Sequence, residues 1–174
     1  MCNLSDSNTD GNILGFHREN DENGFLSNWY LSRFEDSKDG KRFTSVEQLL
    51  MYKKAITFND TEIADHIMHE ICPDVIKKLG RQVRGYNESQ WASIRFNVLL
   101  DGLRLKFSQS EELKRKLLYT GDKHLVEFAA NDLVYGVGVS DGDPGRFNTS
   151  NWRGQNLLGL ALMQVRDELK EGEL

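Results

Sequence analysis

Thr44-Ser45-Val46-Glu47-Gln48-Leu49-Leu50-Met51-Tyr52-Lys53-Lys54-Ala55 is the stretch from which the rest of the chain reads. It begins as a helix should. Thr44 or Ser45 offers a side-chain oxygen to the free N–H groups of a first turn, and Thr44 and Glu47 have capping-box spacing. Val46, Leu49, Leu50 and Ala55 recur at near-helical intervals and are expected to face a core. Glu47 and Lys54 are separated by about two helical turns, so they project from roughly the same face. On spacing alone such a carboxylate and amine read first as a solvated pair and second as the centre of an active site.

Working outward, residues 1–11 are polar and small and read as a disordered lead-in, with 12–174 as one domain. Ile13 to Phe16 and Tyr30 to Phe34 read as strands, and Asp39-Gly40 is a hairpin turn returning through Lys41 to Phe43. Helical patterns dominate downstream of Ser45. Asp60 caps a helix through His69, and Pro73 opens another that ends at Leu79 with Gly80 left-handed. Asn87 or Ser89 caps an amphipathic helix to Phe107, and Ser108 or Ser110 caps one to Leu118. After a turn at Thr120–Asp122, Leu125 to Phe128 reads as a strand. Residues 131–155 form a long Gly-, Asp- and Asn-rich loop, a length that is usually functional or disordered. Asn156 to Glu171 is the last helix.

A chain of 174 residues, 39% hydrophobic and 28% charged, can bury one sizeable core. Its net charge of -5 provides no footprint for nonspecific nucleic-acid or membrane binding, but allows a local basic pocket. Cys2 and Cys72 lack metal-ligand spacing and read as thiols of a reducing compartment. With no signal-like or membrane-length apolar run, a cytoplasmic location is expected. Gly136-Val137-Gly138 fails the dinucleotide fingerprint because its third glycine comes only at Gly142. His66 and His69 share a helix face with no third ligand, so they read as exposed and no metal is expected.

Two polar segments stand out: Asn131-Asp132 with Tyr135-Gly136-Val137-Gly138, and Asn151-Trp152-Arg153-Gly154-Gln155-Asn156. Singly, their residues read as core plugs and turn formers. Together with Trp29 and Trp91 they describe a pocket for a flat heterocycle, with rings to stack and amides to read an edge. Arg81, Arg84, Arg95 and Arg153 are the phosphate candidates, and Arg81 leads because it follows a helix end.

These segments, in this order, resemble the NADAR/YbiA-like family of N-glycosidases. The matches are Phe25-Leu26-Ser27-Asn28-Trp29, Thr44 to Gln48 with Lys54, Leu79-Gly80-Arg81, and Trp91 with Arg95. They continue through Lys106-Phe107, Leu117 to Asp122, Leu125-Val126-Glu127, Asn131-Asp132 to Gly138, and Gly154 to Gly159 with Met163 and Arg166. The resemblance implies an α+β fold, mainly α with a few short β-strands, and cleavage of an N-glycosidic bond without a cofactor. It places Glu47 at the family's active-site glutamate, Lys54 at its proposed Schiff-base lysine, Trp91 at a pocket tryptophan, and Asn131-Asp132 at its Asn-Asp pair. The chain departs from the family at Gln48, where histidine is common, at Met51 and Ala55, where glutamine and phenylalanine are usual, and at Tyr135, often tryptophan.

The resulting expectation gives Glu47 the developing sugar charge, Lys54 the covalent step, and Asp132 a second acid/base or ribose-binding role. Asn28, Arg81, Trp91, Asn131, Tyr135, Trp152 and Asn156 are the expected substrate contacts. The expected partner is a small nucleotide-like molecule: an aminouracil ribotide of the riboflavin pathway, releasing ribose 5-phosphate, or alternatively an ADP-ribosylated guanine. A pocket that binds ADP-ribose without turnover is the competing class. No membrane partner is expected.

Overall fold

Helix α1 (Val46–Thr57) buries eight of its twelve residues, Glu47 and Gln48 among them, and three other helices and one strand pack on it. Ser45 is its cap, accepting from the Gln48 N–H at 3.1 Å. The box expected between Thr44 and Glu47 is shifted by one residue. Gln48 reaches back instead, its Oε1 accepting from the Thr44 N–H at 2.8 Å, while its Nε2 donates to the carbonyls of Ile67 and Glu70. That amide ties α1 to the end of α2 (Thr61–Met68) and frees Glu47 from capping. The histidine-to-glutamine departure is therefore at a structural position.

The computed structural model describes residues 9–174. Most of the expected lead-in, with Cys2, lies outside them; Thr9–Asn12 form a 3-10 turn. The fold is α+β, mainly α. Helices α2, α3 (Pro73–Gly80) and α4 (Glu88–Ser108) surround α1, and α5 (Glu111–Tyr119) and α6 (Leu157–Glu171) pack on α4. The caps follow the sequence: Asp60 for α2, Asn87 for α4 and Ser110 for α5. Gly80 departs from expectation, because it lies inside α3 and Arg81 closes the helix in a right-handed conformation. Contact is what requires this glycine, since a Cβ there would stand 2.0 Å from Met51 Sδ.

Strand β1 (Ile13–Phe16) pairs in parallel with β4 (His124–Glu127), Leu14 opposite Leu125. Strands β2 (Phe34–Asp36) and β3 (Lys41–Phe43) form an antiparallel hairpin whose turn holds Gly40 at φ +62°. The strand expected from Tyr30 begins only at Phe34, because Ser27–Tyr30 is spent on a turn in which Ser27 accepts from the N–H groups of Trp29 and Tyr30. The 131–155 segment is a folded loop laced by backbone bonds: Arg153 and Gly154 donate to the Val137 carbonyl, and Gln155 donates to Leu133. A small apolar cluster of Val126, Phe128, Val137 and Val139 lies beneath it. Among the described residues no helix is long and apolar enough to cross a membrane.

Asn156 enters α6 with φ +53° and spends its amide on β4, accepting from the Glu127 N–H at 3.1 Å and donating to the Leu125 carbonyl at 2.9 Å. Gly159 then lies so close to β4 that a Cβ would meet the Leu125 carbonyl oxygen at 2.1 Å. Helix propensity alone favours alanine over glycine by up to about 1 kcal/mol. Gly159→Ala is nevertheless expected to lower stability by about 1–3 kcal/mol, because backbone lies on both sides of the clash. Gly11→Ala, which meets nothing within 4 Å, is the control with unchanged stability. Urea unfolding of the two variants measures this, and an unaltered or raised midpoint for Gly159→Ala would refute the contact.

Candidate active site

One face of α1 carries Glu47, Met51 and Lys54 into a cleft of about 280 Å³. The other walls come from Asn28 and Trp29, Arg81 after α3, Trp91 and Arg95 on α4, Glu127 at the end of β4, and the Asn131–Tyr135 loop. Asn28 is fixed from two sides: its carbonyl accepts the Glu47 N–H at 3.0 Å, and the preceding turn is held by Lys106. Lys106 is 1% exposed and donates to the carbonyls of Phe25 at 2.7 Å and Ser27 at 3.0 Å. Burial pulls the Lys106 amine down to about 7.

Glu47 is 5% exposed, and its carboxylate receives no protein hydrogen bond among the described residues. Burial raises its pKa to about 7; Asp132 adds to the rise, while Lys77, Lys54 and Arg81 oppose it. Lys54 donates to the Gly80 carbonyl at 2.8 Å, and its Nζ lies 4.2 Å from the centre of the Tyr86 ring. Burial lowers the pKa of this amine, and Glu88 partly offsets the effect. A neutral lysine is therefore easier to reach here than in water, as nucleophilic use of the amine requires.

Asp132 divides its two oxygens. Oδ1 accepts from the N–H groups of Val134 at 3.0 Å and Tyr135 at 2.8 Å, shaping the loop. Oδ2 faces Lys77 at 3.9 Å and remains available to a ligand. Four enclosed polar atoms of the cleft have no hydrogen-bond partner among the described residues: Asn28 Oδ1, Arg95 Nε, Glu127 Oε2 and the Tyr135 hydroxyl. Each unsatisfied buried group costs about 1–3 kcal/mol, so four around one cavity describe a complement for a polar ligand.

The arginines separate by what they already hold. Arg84 is paired with Asp60 and Glu62, Arg153 donates to the Gly138 carbonyl, and Arg95 is paired with Glu88. Arg81 is exposed at the cleft and its guanidinium holds no partner among the described residues. It is the free anion-binding group of the four.

Trp152 and Asn156 stand apart from the cleft. Trp152 stacks on His124 at 6.0 Å and donates its indole N–H to the Arg146 carbonyl, because the laced loop turns it toward the small apolar cluster. Asn156 spends its amide on β4 and acts by holding Glu127 in place. Sequence reasoning missed Glu127 as a site residue, along with Lys77 and Tyr86. The available signal for Glu127 was a lone carboxylate inside the apolar run Leu125-Val126-Glu127-Phe128. Lys77 and Tyr86 carried none, since each is an ordinary surface residue until α3 and α4 are placed.

A second cavity of about 500 Å³ adjoins the cleft and shares Trp29, Lys77, Arg81, Glu127 and Asp132 with it. A larger cavity, about 740 Å³ between β1 and α5, shares none of the cleft residues. Size does not mark the site here, because the orphan polar atoms and shifted carboxyls converge on the smaller cleft.

Residues 15–170 match the family described as NADAR domain. N-glycosidase R617 of Acanthamoeba polyphaga mimivirus is 36% identical over 146 residues, covering 82% of this chain and 86% of that one. N-glycosidase YbiA of Escherichia coli (strain K12) is 31% identical over 157 residues, covering 90% and 88%. The NMR structure of E. coli YbiA superimposes with a TM-score of 0.76 and 28% identity, covering 92% of this chain and 86% of that one. Riboflavin biosynthesis protein VVA0006 of Vibrio vulnificus (strain YJ016) is 31% identical over 156 residues, covering 90% of this chain but 38% of that protein. The family match over residues 15–170, the identity to R617 and YbiA and the shared fold have one reading: the chain belongs to the NADAR domain family.

Proposed function

We propose that the cleft cleaves the ribosyl C–N bond of a phosphorylated aminouracil ribotide in the cytoplasm, releasing ribose 5-phosphate. The chain is an N-glycosidase, as its relatives R617 and YbiA are named. The name of VVA0006 supports a riboflavin-pathway substrate. The observation that carries the reading is Glu47, a buried carboxyl without a protein partner, in one cavity with a half-buried amine and an unpaired guanidinium.

Breaking C1′–N sends the electron pair to the base and leaves positive charge on the sugar. The Glu47 carboxylate stabilises that charge in a site where little water screens it. The Lys54 amine adds to C1′; the ring then opens to a Schiff base, and water hydrolyses it to free sugar and amine. Trp91 and Tyr135 enclose the base, Asn28 holds the sugar or base edge, Asp132 Oδ2 takes a ribose hydroxyl beside Asn131, and Arg81 binds phosphate. A second reading, removal of ADP-ribose from modified guanine, is favoured by one feature: the adjoining 500 Å³ cavity has room for a further phosphorylated group beside Lys77 and Arg81.

Incubating the chain with both substrates and identifying products by mass spectrometry separates the readings, and free base from neither would refute both. Glu47→Gln is expected to lower kcat/KM at least about a hundredfold. Lys54→Ala should abolish any sugar adduct trapped by borohydride; a trapped adduct that persists would reassign the nucleophile. Arg81→Ala should raise KM about tenfold for the phosphorylated substrate and leave the dephosphorylated one unchanged, about the value of one charge-assisted contact.

The raised Glu47 pKa also has a stability consequence with a definite sign. The folded state keeps its proton up to about pH 7, whereas the unfolded chain releases it near the ordinary glutamate value of 4.5. The stabilisation is therefore complete below pH 4.5 and is lost as pH rises through about 7. Relative to the parent chain, Glu47→Gln should gain about 3 kcal/mol between pH 5 and pH 8.5. Denaturant unfolding at the two pH values measures the difference, and a difference that does not change with pH would contradict the assignment.

A further inference from the structure

We infer that Glu127 is a further catalytic residue, the acid that protonates the departing nitrogen of the base. This rests on the N-glycosidase reading and adds the one group that reading leaves unassigned. When C1′–N breaks, a neutral base leaves as an anion unless its nitrogen receives a proton. Glu47 is occupied with the sugar charge and Lys54 with C1′. Glu127 lines both the cleft and the adjoining cavity, and its Oε2 is enclosed with no hydrogen-bond partner among the described residues.

Its backbone is held more firmly than its side chain. The Glu127 N–H donates to Asn156 Oδ1, and its carbonyl accepts from Val137 at 3.0 Å and Ala129 at 3.2 Å. The chain thus fixes the Cα from three sides and leaves the carboxyl uncommitted, which a structural acid would not need. The charged groups that face it are Glu47 on α1, Lys77 on α3 and Asp132 in the loop. Burial, reinforced by Asp132, pushes its pKa up to about 8, above the value of about 7 at Glu47, so of the two carboxyls Glu127 holds its proton more firmly at neutral pH.

The step balances. The proton on Glu127 passes to the base nitrogen as the C1′–N pair goes to it, and the base leaves neutral. Water later adds to the sugar–Lys54 Schiff base, and its released proton returns to the Glu127 carboxylate.

The test compares two ribose 5-phosphate substrates, one with a neutral aminouracil leaving group and one with a pyridinium, which departs as neutral pyridine and needs no proton. Glu127→Gln is expected to lose at least a hundredfold in kcat on the aminouracil and less than about tenfold on the pyridinium. Glu47→Gln should lose on both. Equal loss on both substrates for Glu127→Gln, or no loss on either, would overturn the assignment while leaving the glycosidase reading intact. The unsubstituted chain provides an independent arm: activity on the aminouracil should fall above about pH 8, and activity on the pyridinium should not. The same alkaline limb with both substrates would refute Glu127 as the acid. Turnover of neither substrate by the unsubstituted chain would defeat the glycosidase reading itself, and the role of Glu127 with it.

Discussion

A helix enclosed on nearly every side cannot carry an unpartnered carboxyl without consequence, and the structure turns on that constraint at α1. Glu47 is out of water because α2, α3 and α4 all pack on the same twelve residues. Desolvation favours its neutral form, and the surrounding Lys77, Lys54 and Arg81 favour the charged one. The balance depends on how closely α3 approaches, since Lys77 and Arg81 both lie on or just beyond that helix. Gly80 sets the approach by admitting Met51 against its backbone. A packing detail with no polar atom of its own thus governs the electrostatics of the carboxyl.

Hydrogen-bond satisfaction sorts the polar residues more sharply than burial or charge does. Gln48, Asp60, Lys106 and Asn156 are all buried and all fully engaged with backbone or a paired ion. They build the framework. Asn28, Glu47, Arg81 and Glu127 line one cleft, yet among the described residues the Asn28 amide oxygen, the Glu47 carboxylate, the Arg81 guanidinium and Glu127 Oε2 hold no hydrogen-bond partner. Lys106 shows the difference well: a buried lysine near the cleft suggests catalysis, but its amine is committed to two carbonyls of the Phe25–Ser27 turn.

What the sequence made legible follows from range. Caps, turns and helical stripes are local, and Ser45, Asp60, Asn87 and Ser110 all perform as their side chains suggest. The helix face bearing Glu47 and Lys54 is also local, so that half of the cleft could be read directly. Trp152 and Asn156 were misplaced because their direction depends on lacing between Leu133–Val137 and Arg153–Leu158, which no local pattern encodes. Glu127 was passed over for the related reason that a strand residue acquires meaning only when its partner strand and the facing helix are known. Gly80 had the right residue type but the wrong reason, since turn chemistry and close contact select glycine alike.

The parallel pairing of β1 with β4 joins positions more than a hundred residues apart, with α1 to α5 strung between them. Such a ribbon has no hairpin to nucleate it, and closing so long a loop is entropically costly until the intervening helices have condensed. The helices can therefore collapse around α1, and bury Glu47, before β4 and the loop after it bring Glu127, Asp132 and Tyr135 into place. The order of assembly separates folding from competence. A chain still emerging during synthesis holds its first carboxyl in a half-walled cleft, and the remaining walls close only once the last third of the molecule has folded back onto the first strand.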